Sequence, residues 1–204
     1  MAPSPSETAG LILIGGQSAR MGTPKALALL AGEPLWQHVA RALTPLVDVL
    51  LFLGQIEGFL PPAPARVIRD NPSGIGPLGG MVAGLEQSGH RHHLLVAVDY
   101  PLVRPALLSA ILANADLAKA VCGAVGGMVE ALIGYYHVDC APAIRQMLAE
   151  GETRTHQLLQ RVDGLVLADD EIAKIDPAKW SHFNVNTPSD LREAERRLRA
   201  GYPA

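Results

Sequence analysis

Cysteine is scarce in this chain: its 204 residues include only Cys122 and Cys140. Their separation rules out a CxxC element, and a single pair builds no disulfide framework. A reducing compartment, the cytoplasm, is the expected setting. Long apolar runs are missing as well. The first, Leu11–Ile14, is far short of a membrane span, so no membrane partner is expected. Residues 1–9 are rich in Pro and Ser and lack the basic start of a signal peptide. They read as a flexible N-terminal tail ahead of a single domain over residues 10–204. Excess positive charge is absent: 20 acidic residues against 17 Lys and Arg leave a net charge of −3, which gives no reason to expect nucleic acid as a partner. Arg192, Arg196, Arg197 and Arg199 then read as the solvated face of a C-terminal amphipathic helix. No Ser-His-Asp or Cys-His arrangement stands out. His90, His92 and His93 have no Cys or carboxylate cluster beside them and read as solvated loop histidines rather than metal ligands.

What the chain does have is a hydrophobic fraction of 49% with only 18% charged residues, a composition that folds. Its most informative stretch is Leu11-Ile-Leu-Ile-Gly15-Gly16-Gln-Ser-Ala-Arg20-Met21-Gly22-Thr-Pro-Lys25. A short apolar run suited to a buried strand breaks into paired glycines, followed by Arg20, Gly22 and Lys25 in one loop. Glycines let the backbone approach an anion and turn N–H groups toward it, while Arg and Lys neutralise phosphate. The stretch lacks the Gly-Lys-Ser/Thr ending of a P-loop and the G-x-G-x-x-G of a dinucleotide fingerprint. It reads as a phosphate-cradling loop; the plain alternative is a tight strand-to-helix turn with two surface cations.

Apolar runs predict strands at Leu11–Ile14, Val47–Leu53, Arg66–Ile68, Leu94–Val98, Ala120–Val125, Ala131–His137 and Leu165–Ala168. Between them, helical spacing links Leu35, Val39 and Leu43 after Pro34, then Leu78, Met81, Val82 and Leu85, then Leu107, Leu108, Ile111 and Leu112 after Pro105. Thr187-Pro188-Ser189-Asp190 reads as N-cap to N3 of a last helix that turns Leu191, Ala194 and Leu198 inward. This alternation predicts an α/β fold: a mostly parallel sheet with helices on both faces, and a small antiparallel edge where Gly126-Gly127 joins residues 120–137 into a hairpin.

In such sheets ligands bind beyond the carboxyl ends of the strands. Four glycines within residues 74–80, after Asp70, suggest close backbone approach to a ligand, with Asp70 able to accept hydrogen bonds from a base or ribose; a flexible loop before a helix is the alternative. Asp99, directly after a buried strand and before Tyr100-Pro101, needs a positive partner, and Mg²⁺ carried on a triphosphate would answer that need. A structural N-cap is the plainer role. Asn184 and Asn186, two apart, point the same way if extended. They either complete a polar site or bond local backbone.

Together these segments resemble the nucleotidyltransferases of molybdenum cofactor biosynthesis, most closely the molybdenum cofactor guanylyltransferases. The resemblance runs from about residue 10 to the C-terminus through Leu13–Lys25, Gly32-Glu-Pro-Leu-Trp-Gln-His-Val39, Asp70–Gly80, Asp99-Tyr-Pro101 and Asn184–Leu191. It implies a Rossmann-like three-layer nucleotidyltransferase fold. It also implies transfer of GMP from GTP to molybdenum–molybdopterin, with Mg²⁺ as cofactor and pyrophosphate as by-product. By the same resemblance, the backbone of Leu13, Ile14 and Gly15 contacts base and ribose. Gly16, Gly22 and Gly79 belong to the nucleotide site, and Asp70 helps recognise guanosine. Arg20 and Lys25 hold the triphosphate, Asp99 ligates Mg²⁺, and Asn184 and Asn186 face the pterin acceptor. Arg20, Lys25 and Asp99 are thus the expected catalytic residues, with cofactor-delivery proteins or recipient molybdoenzymes as further partners. The chain departs from the family pattern at Ile14 (usually Ala), at Pro24 (usually Asp), at Leu53-Gly54 (often polar) and at Met128–Ala131. Competing readings are a related nucleotidyltransferase, either a molybdopterin cytidylyltransferase, which CTP preference would reveal, or one acting on a sugar phosphate, and a nucleotide-binding adaptor, which would bind without turnover.

Overall fold

The computed structural model describes residues 2–15, 23–69 and 75–201. The chain enters at β1 (Thr8–Leu13), then forms a two-residue hairpin of β2 (Leu29–Leu30) and β3 (Glu33–Pro34). There follow α1 (Leu35–Leu43), β4 (Val49–Leu53), β5 (Arg66–Ile68), α2 (Pro77–Gln87), β6 (His92–Ala97) and α3 (Pro105–Leu112). The second half adds β7 (Ala120–Val125), β8 (Met128–His137), α4 (Ala141–Ala149), α5 (Gln157–Arg161), β9 (Leu165–Leu167), α6 (Asp169–Ile175) and α7 (Pro188–Arg199).

Among the described residues seven strands form one sheet in the order β5-β4-β1-β6-β8-β7-β9. β1 pairs in parallel with both β4 and β6, and all six of its residues are buried. Burial on both faces is what its unbroken apolar run anticipates. β8 alone among these strands runs against the rest. Helix α1 packs on β1 and β6, α3 on β7 and β8, and α6 on β7, while α2 lies over β1, β4 and β5 with α4 beside it. The result is the three-layer arrangement that the alternation predicts. No helix among the described residues is long and apolar enough to cross a membrane.

Three expectations need correction. β1 starts at Thr8, so Thr8 and Ala9, both fully buried, are strand rather than tail. The β7–β8 hairpin is not the sheet edge, because β9 adds in parallel outside β7 and satisfies its outer backbone groups. His92 and His93 are not loop residues. β6 starts at His92, two residues before the predicted strand. His93 is fully buried, held at 2.7 Å from Ser88 Oγ and 3.1 Å from the Tyr136 carbonyl. The reason is that two ring nitrogens with two fixed partners let an imidazole sit inside a sheet without an orphaned polar atom.

Helix α2 lies unusually close to the sheet. A Cβ on Gly80 would come within 2.9 Å of Leu13 Cδ2. Part of the glycine density after residue 74 is therefore a packing requirement that brings the α2 N-terminus up to the end of β1.

Candidate active site

The carboxyl ends of β4, β1 and β6 lie side by side because these strands are neighbours and parallel. At the end of β1 the chain is pinned to β4: the N–H groups of Ile14 and Gly15 both donate to the Leu53 carbonyl, at 3.0 and 3.3 Å. Leu13 and Ile14 are buried and Gly15 is exposed. The unusual Ile14 therefore points into the core and does not crowd the surface where Gly15 emerges. Gly54 is explained at the same point. Its φ is +117°, and a Cβ there would stand 2.8 Å from the Gly15 nitrogen. Any side chain at position 54 would push the two strand ends apart.

Asp99 leaves the end of β6. Its carboxylate Oδ2 lies 2.9 Å from Lys25 Nζ, and the two side chains are only 26% and 16% exposed. Burial raises the Asp99 carboxyl above its ordinary range, and the Lys25 ammonium pulls it partly back. Burial thus leaves the carboxylate short of solvation. Lys25 is carried by a 3₁₀ turn, Lys25–Leu27, which starts after Pro24 and is anchored by fully buried Ala26. Pro24, unusual for the family, serves as the turn's first capping position, and its carbonyl accepts from Leu27 N–H at 2.9 Å.

The C-terminal segment closes onto this pair. Val185 N–H donates to the Asp99 carbonyl at 2.8 Å, and Val185 itself is fully buried. Asn184 and Asn186 consequently face the site from either side of it. Asn186 Oδ1 accepts from Lys25 Nζ at 2.7 Å, and Asn184 Nδ2 donates to the Tyr100 hydroxyl at 3.1 Å. The Asn186 backbone is fixed by the start of α7. The N–H groups of Asn186 and Thr187 converge on Asp190 Oδ2 at 2.9 and 2.8 Å, while Thr187 Oγ1 accepts from Asp190 N–H. These bonds hold the Asp190 carboxyl below its usual range. The Thr-Pro-Ser-Asp capping box thereby positions a site residue as well as starting a helix.

Lys25, Asp99 and Asn186 therefore meet, although Lys25 and Asn186 are 161 positions apart, and Asn184 joins the same strand end through Tyr100. Leu13, Ile14 and Gly15 border them at the adjacent strand end. Gly79 lies in the first turn of α2, with its N–H given to the Gly76 carbonyl at 3.2 Å. Gly16, Arg20, Gly22 and Asp70 fall outside the described residues. Two participants went unread in the sequence. Tyr100 donates to Glu130 Oε2 in a short hydrogen bond, which ties the end of β6 to β8. A carboxylate inside the otherwise apolar run of β8 was the available signal. Among the described residues no group of three or more His, Cys, Asp or Glu side chains is placed to hold a metal ion. Both cysteines are free and buried, and burial pushes each thiol up to about 12, too high for a nucleophile at neutral pH.

A family model described as a MobA-like NTP transferase domain matches residues 10–195. The chain belongs to this family. It is therefore an enzyme of the nucleotidyltransferase class. A probable molybdenum cofactor guanylyltransferase from Bacillus licheniformis is 33% identical over 190 residues, covering 91% of this chain and 95% of that protein. The crystal structure of molybdopterin-guanine dinucleotide biosynthesis protein A from Archaeoglobus fulgidus superposes with a TM-score of 0.79 at 24% identity, covering 94% of this chain and 99% of its own. The 2-C-methyl-D-erythritol 4-phosphate cytidylyltransferase of Thermus thermophilus superposes with a TM-score of 0.71 at 17% identity, covering 98% and 100%. These two likenesses establish the fold. This strand-end cluster lies within the matched residues and is the candidate active site.

Proposed function

We propose that this enzyme transfers the GMP moiety of GTP to the terminal phosphate of molybdenum–molybdopterin, forming the guanine dinucleotide cofactor and pyrophosphate. The observation that carries the reading is the Lys25–Asp99 pair at the end of β6, bridged to Asn186 at 2.7 Å. It sets a cation, a carboxylate and two amides at one strand end. The guanylyltransferase name of the 33% identical relative supports the choice of nucleotide and acceptor.

The acceptor phosphate is ionised at neutral pH, so the reaction needs no general base. Lys25 would neutralise negative charge on the triphosphate and on the leaving pyrophosphate. Because its ammonium also holds Asn186, it would align the acceptor side with the α-phosphate. Mg²⁺ fits Asp99: the carboxylate is short of solvation, and this metal commonly takes one or two protein carboxylates and otherwise phosphate oxygens and water. When bound there it would supply further charge neutralisation on the leaving phosphates. Arg20, Gly16 and Gly22 would complete the phosphate cradle, with Asp70 reading the base.

Calorimetric titration with GTP, CTP, ATP and UTP in the presence of Mg²⁺ tests the reading, followed by pyrophosphate release with a molybdopterin acceptor. Preference for GTP that disappears in Asp99→Ala, with acceptor-dependent pyrophosphate release, is the expected result. Preference for CTP moves the enzyme to the cytidylyl branch. Binding without turnover points to an adaptor, and either outcome overturns the proposal.

A further inference from the structure

The hydrogen bonds behind Asn184 form a directed chain. Glu130 Oε1 accepts from the Leu132 N–H at 3.0 Å, and Glu130 Oε2 accepts from the Tyr100 hydroxyl. A carboxylate accepts only, so the one proton on Tyr100 is committed to it. The phenolic oxygen can then only accept from Asn184, which gives its Nδ2 at 3.1 Å. That choice settles which way the amide faces. Its carbonyl oxygen, Oδ1, is buried and has no hydrogen-bond partner among the described residues. A buried carbonyl without a donor costs free energy unless a ligand supplies one. Tyr100 itself is 3% exposed, so it is well placed to act through Asn184 rather than to meet a ligand directly.

We infer that Glu130 and Tyr100 are positioning residues that hold Asn184 as an obligate hydrogen-bond acceptor, selecting an acceptor substrate that presents an N–H donor, such as the ring or amino N–H of a pterin. This inference rests on the proposed guanylyl transfer and deepens it on the acceptor side. Glu130, within Met128–Ala131, supplies the carboxylate that orients Tyr100. Without that carboxylate, the hydroxyl could donate to Asn184 and the amide could turn over, presenting NH₂ where an oxygen is required.

The test is steady-state kinetics of Tyr100→Phe, Glu130→Ala, Asn184→Ala and the double variant Tyr100→Phe/Asn184→Ala, with molybdopterin and GTP varied separately. Thermal unfolding of each variant accompanies the kinetics. Tyr100→Phe and Glu130→Ala are expected to raise the acceptor KM by about 5- to 10-fold, the size of one lost neutral hydrogen bond, with the GTP KM unchanged. In the Asn184→Ala background, Tyr100→Phe is expected to add nothing, because its effect is carried by Asn184. A merely structural role would lower stability and change both KM values together. The inference is overturned if the acceptor KM is unmoved, or if the two substitutions multiply. Failure of the wild-type enzyme to transfer GMP at all would instead overturn the underlying reading. A separate signature needs no substrate: the Asn184 side-chain NH₂ resonances, identified by their loss in Asn184→Ala, should shift in both Tyr100→Phe and Glu130→Ala. Unchanged resonances overturn the relay even where transfer is normal.

Discussion

Replacing Lys25 by Met removes the ammonium that pairs with Asp99 at 2.9 Å and with Asn186 at 2.7 Å, while keeping most of the side-chain volume. An exposed ion pair contributes at most about 1 kcal/mol, whereas breaking a buried one costs about 3–5 kcal/mol. With its side chains 16% and 26% exposed, the Lys25–Asp99 pair lies between these limits. A loss of about 2 kcal/mol at about pH 8 is therefore expected. For a chain of this length that corresponds to a Tm lowered by roughly 4–8 °C. The loss should depend on pH in a definite sense. Burial already raises the Asp99 carboxyl above 3.8 and Lys25 pulls it partly back, so removing Lys25 raises it further. The cost of ionisation is full above the raised folded value and disappears below the unfolded one, so the deficit of Lys25→Met shrinks as pH falls toward about 4. Scanning calorimetry at several pH values measures this directly. Turnover, followed as pyrophosphate release, should fall by about 10²–10³-fold if Lys25 stabilises the transition state. Adding Asp99→Asn to Lys25→Met should restore most of the stability and none of the turnover. A deficit equal at low and high pH, or unchanged turnover, refutes the reasoning.

Asp99→Asn alone removes a carboxylate whose ionised form burial disfavours but takes the counter-charge from the Lys25 ammonium, 16% exposed, so above the folded carboxyl pKa it should lose less stability than Lys25→Met does, while turnover falls by about 10²-fold or more. Calorimetry and the pyrophosphate assay read the two effects separately. His93 is fully buried, and burial lowers its pKa from 6.5 to about 4. Its folded pKa is depressed, so its contribution is present above 6.5 and is lost as pH falls toward about 4, by on the order of 3 kcal/mol in total. Urea unfolding of His93→Gln should show a flatter dependence across that window than wild type; an identical slope would contradict a buried neutral imidazole. Gly54→Ala forces a Cβ to 2.8 Å from the Gly15 nitrogen at φ +117°, and should destabilise by about 2 kcal/mol or more in the same assay.

The periodicity of apolar residues determined the layers. Leu11–Ile14, Val47–Leu53 and Leu94–Val98 mark β1, β4 and β6 to within a few residues, and Thr187–Asp190 marks the start of α7, because backbone geometry and capping are local. Helices α4, α5 and α6 were not read, although Asp169, Asp170 and Glu171 in the first turn of α6 carry the acidic bias of a helix start. Lys25, Asp99, Asn184 and Asn186 were each legible as candidates, since a loop cation, a strand-end carboxylate and paired amides are unusual where they stand. Which partner each one takes was not legible. Asn186 could equally have bonded local backbone, and only the Val185 N–H on the Asp99 carbonyl brings it to Lys25. His93 misleads in sequence because its partners, Ser88 and Tyr136, come from a helix end and a neighbouring strand. Tyr100 and Glu130 meet only once β8 runs antiparallel beside β6. The sequence by itself determined the kinds of groups available and the strand ends that carry them, because those depend on nearest neighbours along the chain. Only the tertiary structure decided how they pair and which way the Asn184 amide faces, because hydrogen bonds between residues far apart in sequence depend on sheet order, strand direction and burial.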